Sequence, residues 1–417
     1  MTQKQVAVIG GGVVGVCTAY FLAEAGHDVA VIERHENVAQ EASFANAGIV
    51  APGYVTPWAA PGMPRKLLSQ LFRAESPVAL KPTLDHELWR WVRRWLSECE
   101  LERYRINRTR MQRIAFYSRA VLNQLSEHYQ LDYERTQGVL QLFRTEKEMR
   151  MAEPAIALLA ENEVPHRVID AGEARSIEPA LASDTPLAGG IYLPQDEAGN
   201  CPLFAKRLKQ IASSIGVQFH FSSTVQAIVP ESRGVTLQID DRSFTMDAVV
   251  VAAGAESARL LKPLGIDVPL YPVKGYSATA AIRNFDQAPI ASILDETYKV
   301  AITRLGSRIR IAGTAELGSG DSELRDRAVR TLIKVGSDWF PDAANYVKAN
   351  FWCKARPMLP DGPPLIGATP ARNVYVNIGH GSAGWAMAAG SGKVVADIVS
   401  GFAPDIDMDG LTMTRYG

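Results

Sequence analysis

A glycine-rich turn near the start of the chain constrains its fold more than any other feature. Residues 10–15 read Gly-Gly-Gly-Val-Val-Gly, between the apolar run 6–9 and a second, longer apolar stretch. A G-x-G-x-x-G turn between a strand and a helix is typical of a βαβ dinucleotide-binding unit. In such a unit Gly10 permits the tight turn, Gly12 lets the backbone approach a pyrophosphate, and Gly15 lets the helix pack closely on the strand.

A ribose-binding acid follows at the expected separation of about 20 residues. Residues 28–33 read as a second parallel strand, and Glu33 stands at its C-terminal end, where it can accept hydrogen bonds from ribose hydroxyls. Arg34 alone would favour the 2′-phosphate of NADP, but Glu33 would repel that phosphate. The alternative is a surface glutamate that happens to follow a glycine turn.

The composition limits the classes of protein to which this chain can belong. The 417 residues, 47% of them hydrophobic, are enough for two domains with their own cores. The 44 lysines and arginines nearly balance the 45 aspartates and glutamates, so no nucleic-acid partner is indicated. The four scattered cysteines predict reduced thiols, with neither a disulfide nor a metal site. We expect no signal peptide and no membrane span, and therefore a cytoplasmic protein.

The remaining sequence alternates between strand and helix patterns. Residues 43–64 predict an ordered loop rich in Gly, Pro and Ala, and residues 85–129 a long polar helical region. The apolar run 248–252 suits the middle of a parallel sheet. Further patterns predict a helix over 202–214, a hairpin over 235–245, a β-rich region over 276–313, a final strand at 374–378 and a final helix at 384–400.

A second G-x-G-x-x-G match lies at residues 379–384, again between a strand and a helix. No further strand and no ribose-binding acid follow it, so we do not interpret it as a second nucleotide site. Instead, we expect this helix N-terminus to face a group that becomes negative during turnover, such as the N1–C2=O edge of a reduced flavin.

The chain resembles the FAD-dependent D-amino-acid oxidase superfamily and, within it, the bacterial D-amino-acid dehydrogenase small subunits. Matching blocks follow in family order from residue 6 to about residue 400. The narrowest of them read S-F-A-N-A-G, P-W-A-A-P-G and L-D-E-T-Y-K. The matching blocks are the first glycine turn, 41–48, 52–54, 57–62, 271–277, 294–299, 356–362 and 379–385.

The resemblance implies an α/β fold with a Rossmann-like FAD-binding domain of the glutathione-reductase type. An interleaved α+β substrate domain would contribute an antiparallel sheet. We predict residues 1–56, 195–270 and 350–417 for the first domain, and residues 57–194 and 271–349 for the second.

The resemblance also implies a set of FAD-binding positions, with FAD held non-covalently. The implied positions are Gly10, Gly12, Val13, Val14 and Gly15 at the pyrophosphate, Glu33 and Arg34 at the ribose, Ser43, Asn46, Ala47 and Gly48 along the pyrophosphate and flavin, Val225 at the adenine, Ala253 and Gly254 over the cofactor, and Gly379, Gly381 and Gly384 at the flavin pyrimidine edge. We expect Cys353 to be a buried thiol and not a covalent flavin link.

Arg356 matches the arginine with which relatives bind the substrate carboxylate. Its planar guanidinium suits a bidentate carboxylate, and Pro357 restricts the preceding backbone to an extended form. The alternative is an arginine in a surface ion pair. Tyr298, which the pattern places at the start of a strand, and Tyr54 are candidates to add hydroxyls to the same site.

The implied activity is oxidation of a D-amino acid such as D-alanine to a 2-oxo acid and ammonia, with electrons passed to a quinone or another acceptor. The alternatives are a relative that acts on a cyclic or secondary amino acid (D-proline, hydroxyproline, glycine or sarcosine), or a flavin-bound subunit of a larger complex. The Trp- and Arg-rich segment 89–110 could contact the inner face of the cytoplasmic membrane peripherally, or could be a solvated helix face.

Overall fold

The computed structural model describes residues 2–70, 77–81, 83–318 and 322–416. Within these ranges the helices are α1 (Val13–Glu24), α2 (Met63–Gln70), α3 (His86–Ser97), α4 (Leu101–Tyr129), α5 (Glu146–Glu161), α6 (Ala171–Ile177), α7 (Cys201–Ser214), α8 (Ser257–Leu261), α9 (Asp326–Trp339) and α10 (Gly384–Ser400). The strands are β1 (Gln5–Ile9), β2 (Asp28–Ile32), β3 (Ile49–Val50), β4 (Val78–Leu80), β5 (Thr136–Phe143), β6 (Arg167–Asp170), β7 (Gly189–Ala198), β8 (Gln218–His220), β9 (Val225–Pro230), β10 (Val235–Ile239), β11 (Arg242–Met246), β12 (Ala248–Val251), β13 (Tyr271–Ala281), β14 (Ser292–Asp295), β15 (Val300–Leu305), β16 (Arg308–Leu317), β17 (Asn350–Met358), β18 (Leu365–Ala368) and β19 (Val374–Ile378).

A six-stranded sheet collects segments from the beginning, middle and end of the chain, in the order β18-β19-β12-β1-β2-β8. Its strands are parallel except at the β18–β19 pair. Helices α1, α4, α7 and α10 cover one face, and α8 with the three-stranded sheet β11-β10-β9 covers the other. Because both faces are buried, the strands are nearly continuous apolar runs.

A second, ten-stranded sheet, here the large sheet, has the order β17-β13-β16-β15-β14-β5-β7-β3, with β4 beside β16 and β6 beside β7. It is antiparallel except at β14–β5 and β16–β4. One face packs against α9 around Trp339. Alternate residues of β13, β16 and β17 point to the opposite face, here the inner face, which includes Ser277, Arg310 and Arg356.

The predicted α/β class with a Rossmann-like domain and an antiparallel sheet is confirmed. The predicted final strand and helix are β19 and α10, and the predicted hairpin is β10–β11. The predicted helical region 85–129 forms two helices, because α3 ends at Ser97 and α4 begins at Leu101. The domain boundaries stay a prediction, and β17, which begins at residue 350, is hydrogen-bonded within the large sheet.

Candidate active site

The first glycine turn joins β1 to α1 in a conformation that glycine favours. Gly10 has φ +108°, and a Cβ there would overlap the carbonyl oxygen of Ala252. A Cβ on Gly15 would overlap the carbonyl oxygen of Gly10. At Gly12 an added Cβ meets, among the described residues other than its chain neighbours, only Ser43 Oγ, at 3.4 Å. The turn is therefore closed toward the sheet at Gly10 and Gly15 and open at Gly12.

The N-terminus of α1 is suited to bind an anion. Its cap residue, Gly12, provides no side-chain hydrogen bond, and the first turn contains no acid. Val13 is buried and donates its N–H to Ser43 Oγ at 3.1 Å, whereas Val14 is half-buried. A helix N-terminus whose cap residue has no side chain presents the positive end of the helix dipole and N–H groups beyond that of Val13, which is how proteins bind phosphate groups.

Glu33 lies directly beside this turn at the end of β2. One carboxylate oxygen accepts the N–H of Gly11 at 2.6 Å, and the other accepts the N–H of His35 at 2.8 Å. A carboxylate has further lone pairs, so these contacts orient Glu33 and leave it able to accept ribose hydroxyls. Arg34 is half-exposed and pairs with Glu41 at 2.8 Å. Its charge is thus partly neutralised, which agrees with a ribose that carries no 2′-phosphate.

The loop 43–48 connects the two glycine turns. Ser43 contacts the start of α1, and the side chain of Asn46 accepts the N–H of Gly48 at 2.9 Å. The carbonyl of Gly48, a residue with φ +77°, accepts the indole N–H of Trp385 in α10 at 3.1 Å. Ala47 lies between these anchors and is half-buried. The loop therefore runs from the N-terminus of α1 to that of α10.

The second glycine turn leads from β19 into α10. Gly379 and Gly381 have φ +79° and +56°, and α10 begins at Gly384 without a side-chain cap. A Cβ on Gly381 would lie 2.8 Å from Met358 Sδ, at the end of β17. The buried His380 contacts Ser391 at 3.0 Å, and burial lowers its pKa to about 3, so the turn carries no histidine charge at neutral pH.

The remaining cofactor positions flank the sheet. Val225 is buried at the start of β9, and Ala253 and Gly254, the latter with φ +56°, lie two and three residues after the end of the central strand β12. They lie at the carboxyl edge of the parallel strands, where ligands bind in doubly wound sheets.

Arg356 lies in β17 on the inner face, and the residue is half-buried. It covers Gly275 of the adjacent strand β13, where a Cβ would come within 2.5 to 2.6 Å of three guanidinium atoms. Among the described residues it has no acidic partner, and burial lowers its pKa to about 10, which leaves it charged at neutral pH. The surface ion pair considered above is therefore absent from the described part of the chain. An unpaired, partly desolvated guanidinium is suited to bind a carboxylate.

The two candidate tyrosines lie in different places. Tyr54 is half-buried beside Lys299, and burial raises its pKa to about 12. Tyr298 does not open a strand, because β15 begins at Val300; it lies in the preceding turn and packs against the α9 face of the large sheet. Its ring is 4.8 Å from the guanidinium carbon of Arg144. The structure therefore does not bring Tyr298 together with Arg356.

Cys353 is three residues from Arg356 but points to the α9 face of the large sheet. It is buried, and its thiol contacts the carbonyl of Ser322 at 3.3 Å. Among the described residues there is no cluster of three or more potential metal ligands.

Sequence reasoning did not find three residues of this region: Gly275, Arg310 and Trp385. Gly275 belongs to a recognised block, but its contact with Arg356 depends on the pairing of β13 with β17. Arg310 had a local signal that we did not use, namely a cation among the apolar residues of the segment 308–313.

The chain is similar to a known protein family and to several known proteins. Residues 5–398 match the model of a family described as FAD dependent oxidoreductase, DAO. The chain is 44% identical over 417 residues to a D-amino acid dehydrogenase of Vibrio cholerae, covering 99% of each chain. It is 44% identical over 415 residues to D-amino acid dehydrogenase 1 of Mesorhizobium japonicum, again over 99% of each. The fold is also that of glycine oxidase from Geobacillus kaustophilus, with a TM-score of 0.78, 24% identity, and coverage of 100% of this chain and 99% of the other.

Proposed function

The chain belongs to the DAO family of FAD-dependent oxidoreductases, and on this premise we propose that it oxidises D-amino acids to 2-oxo acids and ammonia. The observation that carries the substrate class is the 44% identity to D-amino acid dehydrogenases over 99% of the chain. The unpaired guanidinium of Arg356 supports it, because an amino acid brings the carboxylate that this cation lacks.

The residues around the first glycine turn fit FAD. The open side of Gly12 and the uncapped N-terminus of α1 would hold the pyrophosphate, and Glu33 would bind the ribose. When bound, FAD supplies the acceptor for a hydride from the substrate Cα, and loss of that hydride turns the amine into an imine. Water then hydrolyses the imine to the 2-oxo acid and ammonia.

The chain itself contributes position and electrostatics. Arg356 would fix the substrate carboxylate, which sets the position of the Cα–H bond. Tyr54, whose hydroxyl lies beside Lys299, stays a candidate to contact the substrate, whereas Tyr298 packs against Arg144. The N-terminus of α10 would stabilise negative charge that develops during turnover.

Anaerobic mixing with single amino acids tests this substrate class. We expect D-alanine to bleach the flavin absorbance and yield pyruvate and ammonia, whereas L-alanine should leave the spectrum unchanged. Bleaching by glycine, sarcosine or D-proline but not by D-alanine would contradict the proposal and favour an enzyme for cyclic or secondary amino acids. A flavin that no amino acid reduces would instead indicate a silent subunit.

We expect the FAD to be bound non-covalently. Cys353 is buried on the α9 face, and burial raises the pKa of the Cys201 thiol to about 12, which keeps that thiol protonated. Acid precipitation of the purified protein should release all yellow colour into the supernatant. Colour that stays with the pellet after washing in denaturant would show a covalent bond.

We propose further that the enzyme passes its electrons to a membrane quinone and docks through α3 and the start of α4. The described part of the chain contains no helix of the length and apolarity that a membrane span needs. Leu84, Trp89, Leu96 and Leu101, which lie before, within and just after α3, are 47 to 100% exposed. Exposed arginines lie among these apolar side chains, for example Arg93, a composition that suits an anionic lipid surface.

Vesicle sedimentation tests this surface. The protein should sediment with vesicles that contain phosphatidylglycerol and stay in solution with pure phosphatidylcholine, because anionic lipid attracts the arginines. Trp89→Ser should weaken sedimentation. Phe402→Ser, at a comparably exposed phenylalanine beyond α10, is the matched control and should bind like the parent. Equal binding of both variants would identify this face as ordinary solvated surface.

A further inference from the structure

The inner face of the large sheet carries a second guanidinium, that of Arg310 in β16. It lies beside Thr279 of β13 and Thr303 of β15 in the strand register. Only 7% of its surface is exposed. Arginine is rarely buried to this extent without an acid, because removing the charge from water is costly.

The protein supplies only neutral acceptors to Arg310. Its Nε donates to the hydroxyl of Thr279 at 2.7 Å, and its Nη1 donates to the carbonyl of Asn46 at 2.9 Å. No carboxylate among the described residues pairs with it, and Nη2 has no partner there. Burial, and next the nearby charge of Arg308, lower the pKa of Arg310 to about 10, so it is still charged at neutral pH.

Arg308, two residues earlier in the same strand, shows the ordinary alternative. Its side chain is 43% exposed and pairs with Glu134 at 3.0 Å. The two arginines therefore differ in hydration and in charge pairing: Arg308 is hydrated and neutralised, and Arg310 is buried and has no described acidic partner.

The position of Arg310 indicates where an anionic group could bind to it. Asn46, which Arg310 contacts, lies in the loop 43–48, and that loop is bonded to the start of α1 through Ser43 and to α10 through Trp385. A dinucleotide that extends from the first glycine turn to the second follows this loop. The guanidinium therefore lies against the path of the cofactor.

We propose that Arg310 faces the flavin ring and supplies positive charge that stabilises the flavin in its reduced, anionic form. Transfer of a hydride from the substrate Cα brings two electrons and one proton to the flavin, which leaves one negative charge on it. A cation already in place at a site of low dielectric interacts strongly with that charge and requires no reorganisation. The oxidised flavin is neutral, so the interaction favours reduction.

Redox titration and sulfite binding of the FAD-loaded protein test this role without any amino-acid substrate. Arg310→Gln keeps a donor for the Asn46 carbonyl but removes the charge. We expect its sulfite Kd to rise by about 10- to 100-fold, the range for a hydrogen bond to a charged group. The two-electron midpoint potential should also fall, by about 30 mV for each tenfold loss in stabilisation of the anionic flavin.

Two further variants separate charge from structure. Arg310→Lys keeps the charge and should hold the potential close to that of the parent. Arg308→Met removes the neighbouring, neutralised cation and should also leave the potential unchanged. If Arg310 served only to hold the loop, Arg310→Gln would keep the parent potential, and the proposal would be overturned.

A weaker FAD affinity of Arg310→Gln at unchanged potential would overturn the proposal as well, by assigning Arg310 to the pyrophosphate.

The unmodified protein gives a test that does not depend on how a variant folds. An anionic reduced flavin takes up one proton per two electrons, so the potential should fall by about 30 mV per pH unit near pH 7. Twice that slope would indicate a neutral reduced flavin and contradict the proposal.

Discussion

Replacing Arg356 with methionine should lower kcat/KM for D-alanine by about 30- to 1,000-fold, which corresponds to about 2 to 4 kcal/mol. The guanidinium lies over Gly275 with no acid among the described residues, so the substrate carboxylate would be its first anionic partner. Methionine fills a similar volume but offers no donor. The loss should appear mainly as a higher KM, measured by steady-state turnover with an artificial electron acceptor.

Two variants sharpen this measurement. Arg356→Lys should recover little activity, because an ammonium cannot form the paired hydrogen bonds of a guanidinium. Lys354→Met changes another cation of β17, one that already pairs with Glu41 at 3.3 Å, and should leave kcat/KM nearly unchanged. Parent kinetics in Arg356→Met, with FAD retained, would remove Arg356 from the substrate site.

The second large effect is expected at Gly12, where alanine should weaken FAD binding while the protein stays folded. Its φ of −66° suits any residue, and the added Cβ meets Ser43 Oγ at an ordinary contact distance of 3.4 Å. The methyl group would instead occupy the space into which a pyrophosphate must come. Overpacking of this kind costs about 1 to 3 kcal/mol, or about 5- to 150-fold in FAD affinity. Equilibrium titration of the apoprotein with FAD, followed by fluorescence, measures it.

Two other glycines provide the comparison. Gly15→Ala should destabilise the apoprotein itself, because its Cβ would overlap the Gly10 carbonyl oxygen. In Gly172→Ala, in the short helix α6, the added Cβ lies 3.3 Å from Asp170 Oδ1, a side-chain atom that can shift, so neither stability nor affinity should change appreciably. If Gly12→Ala binds FAD like the parent, the pyrophosphate does not lie at this turn.

Local patterns were sufficient to predict the first βαβ unit, whereas the FAD positions outside it were implied by the family resemblance. The strand, the glycine turn, the helix and Glu33 lie within a few tens of residues, so periodicity and spacing place them together. Arg356 was recognised from its block and from Pro357, but its unpaired state could be seen only in the structure.

The substrate side depends on the pairing of distant strands, which sequence spacing does not specify. Tyr298 was predicted to open a strand. Lys299 instead takes a left-handed conformation (φ +52°), and β15 begins at the next residue, Val300. The alternation of side chains between the two faces of the sheet therefore does not include Tyr298. At Thr314 the register between β13 and β16 shifts, and beyond such a bulge the inward and outward positions exchange.

The order of strands in the six-stranded sheet also constrains when the cofactor site can form during synthesis. The central strand β12 pairs with β1 on one side and with β19 on the other, and β19 lies within the last tenth or so of the chain. A nascent chain that already contains the first glycine turn therefore still lacks one neighbour of β12, and α10 has yet to cover the apolar surface of α1. Contacts this distant in sequence form slowly and leave apolar surface exposed in the meantime. FAD insertion should consequently be post-translational, and a chain that stops before β19 should need chaperones and fail to retain the cofactor.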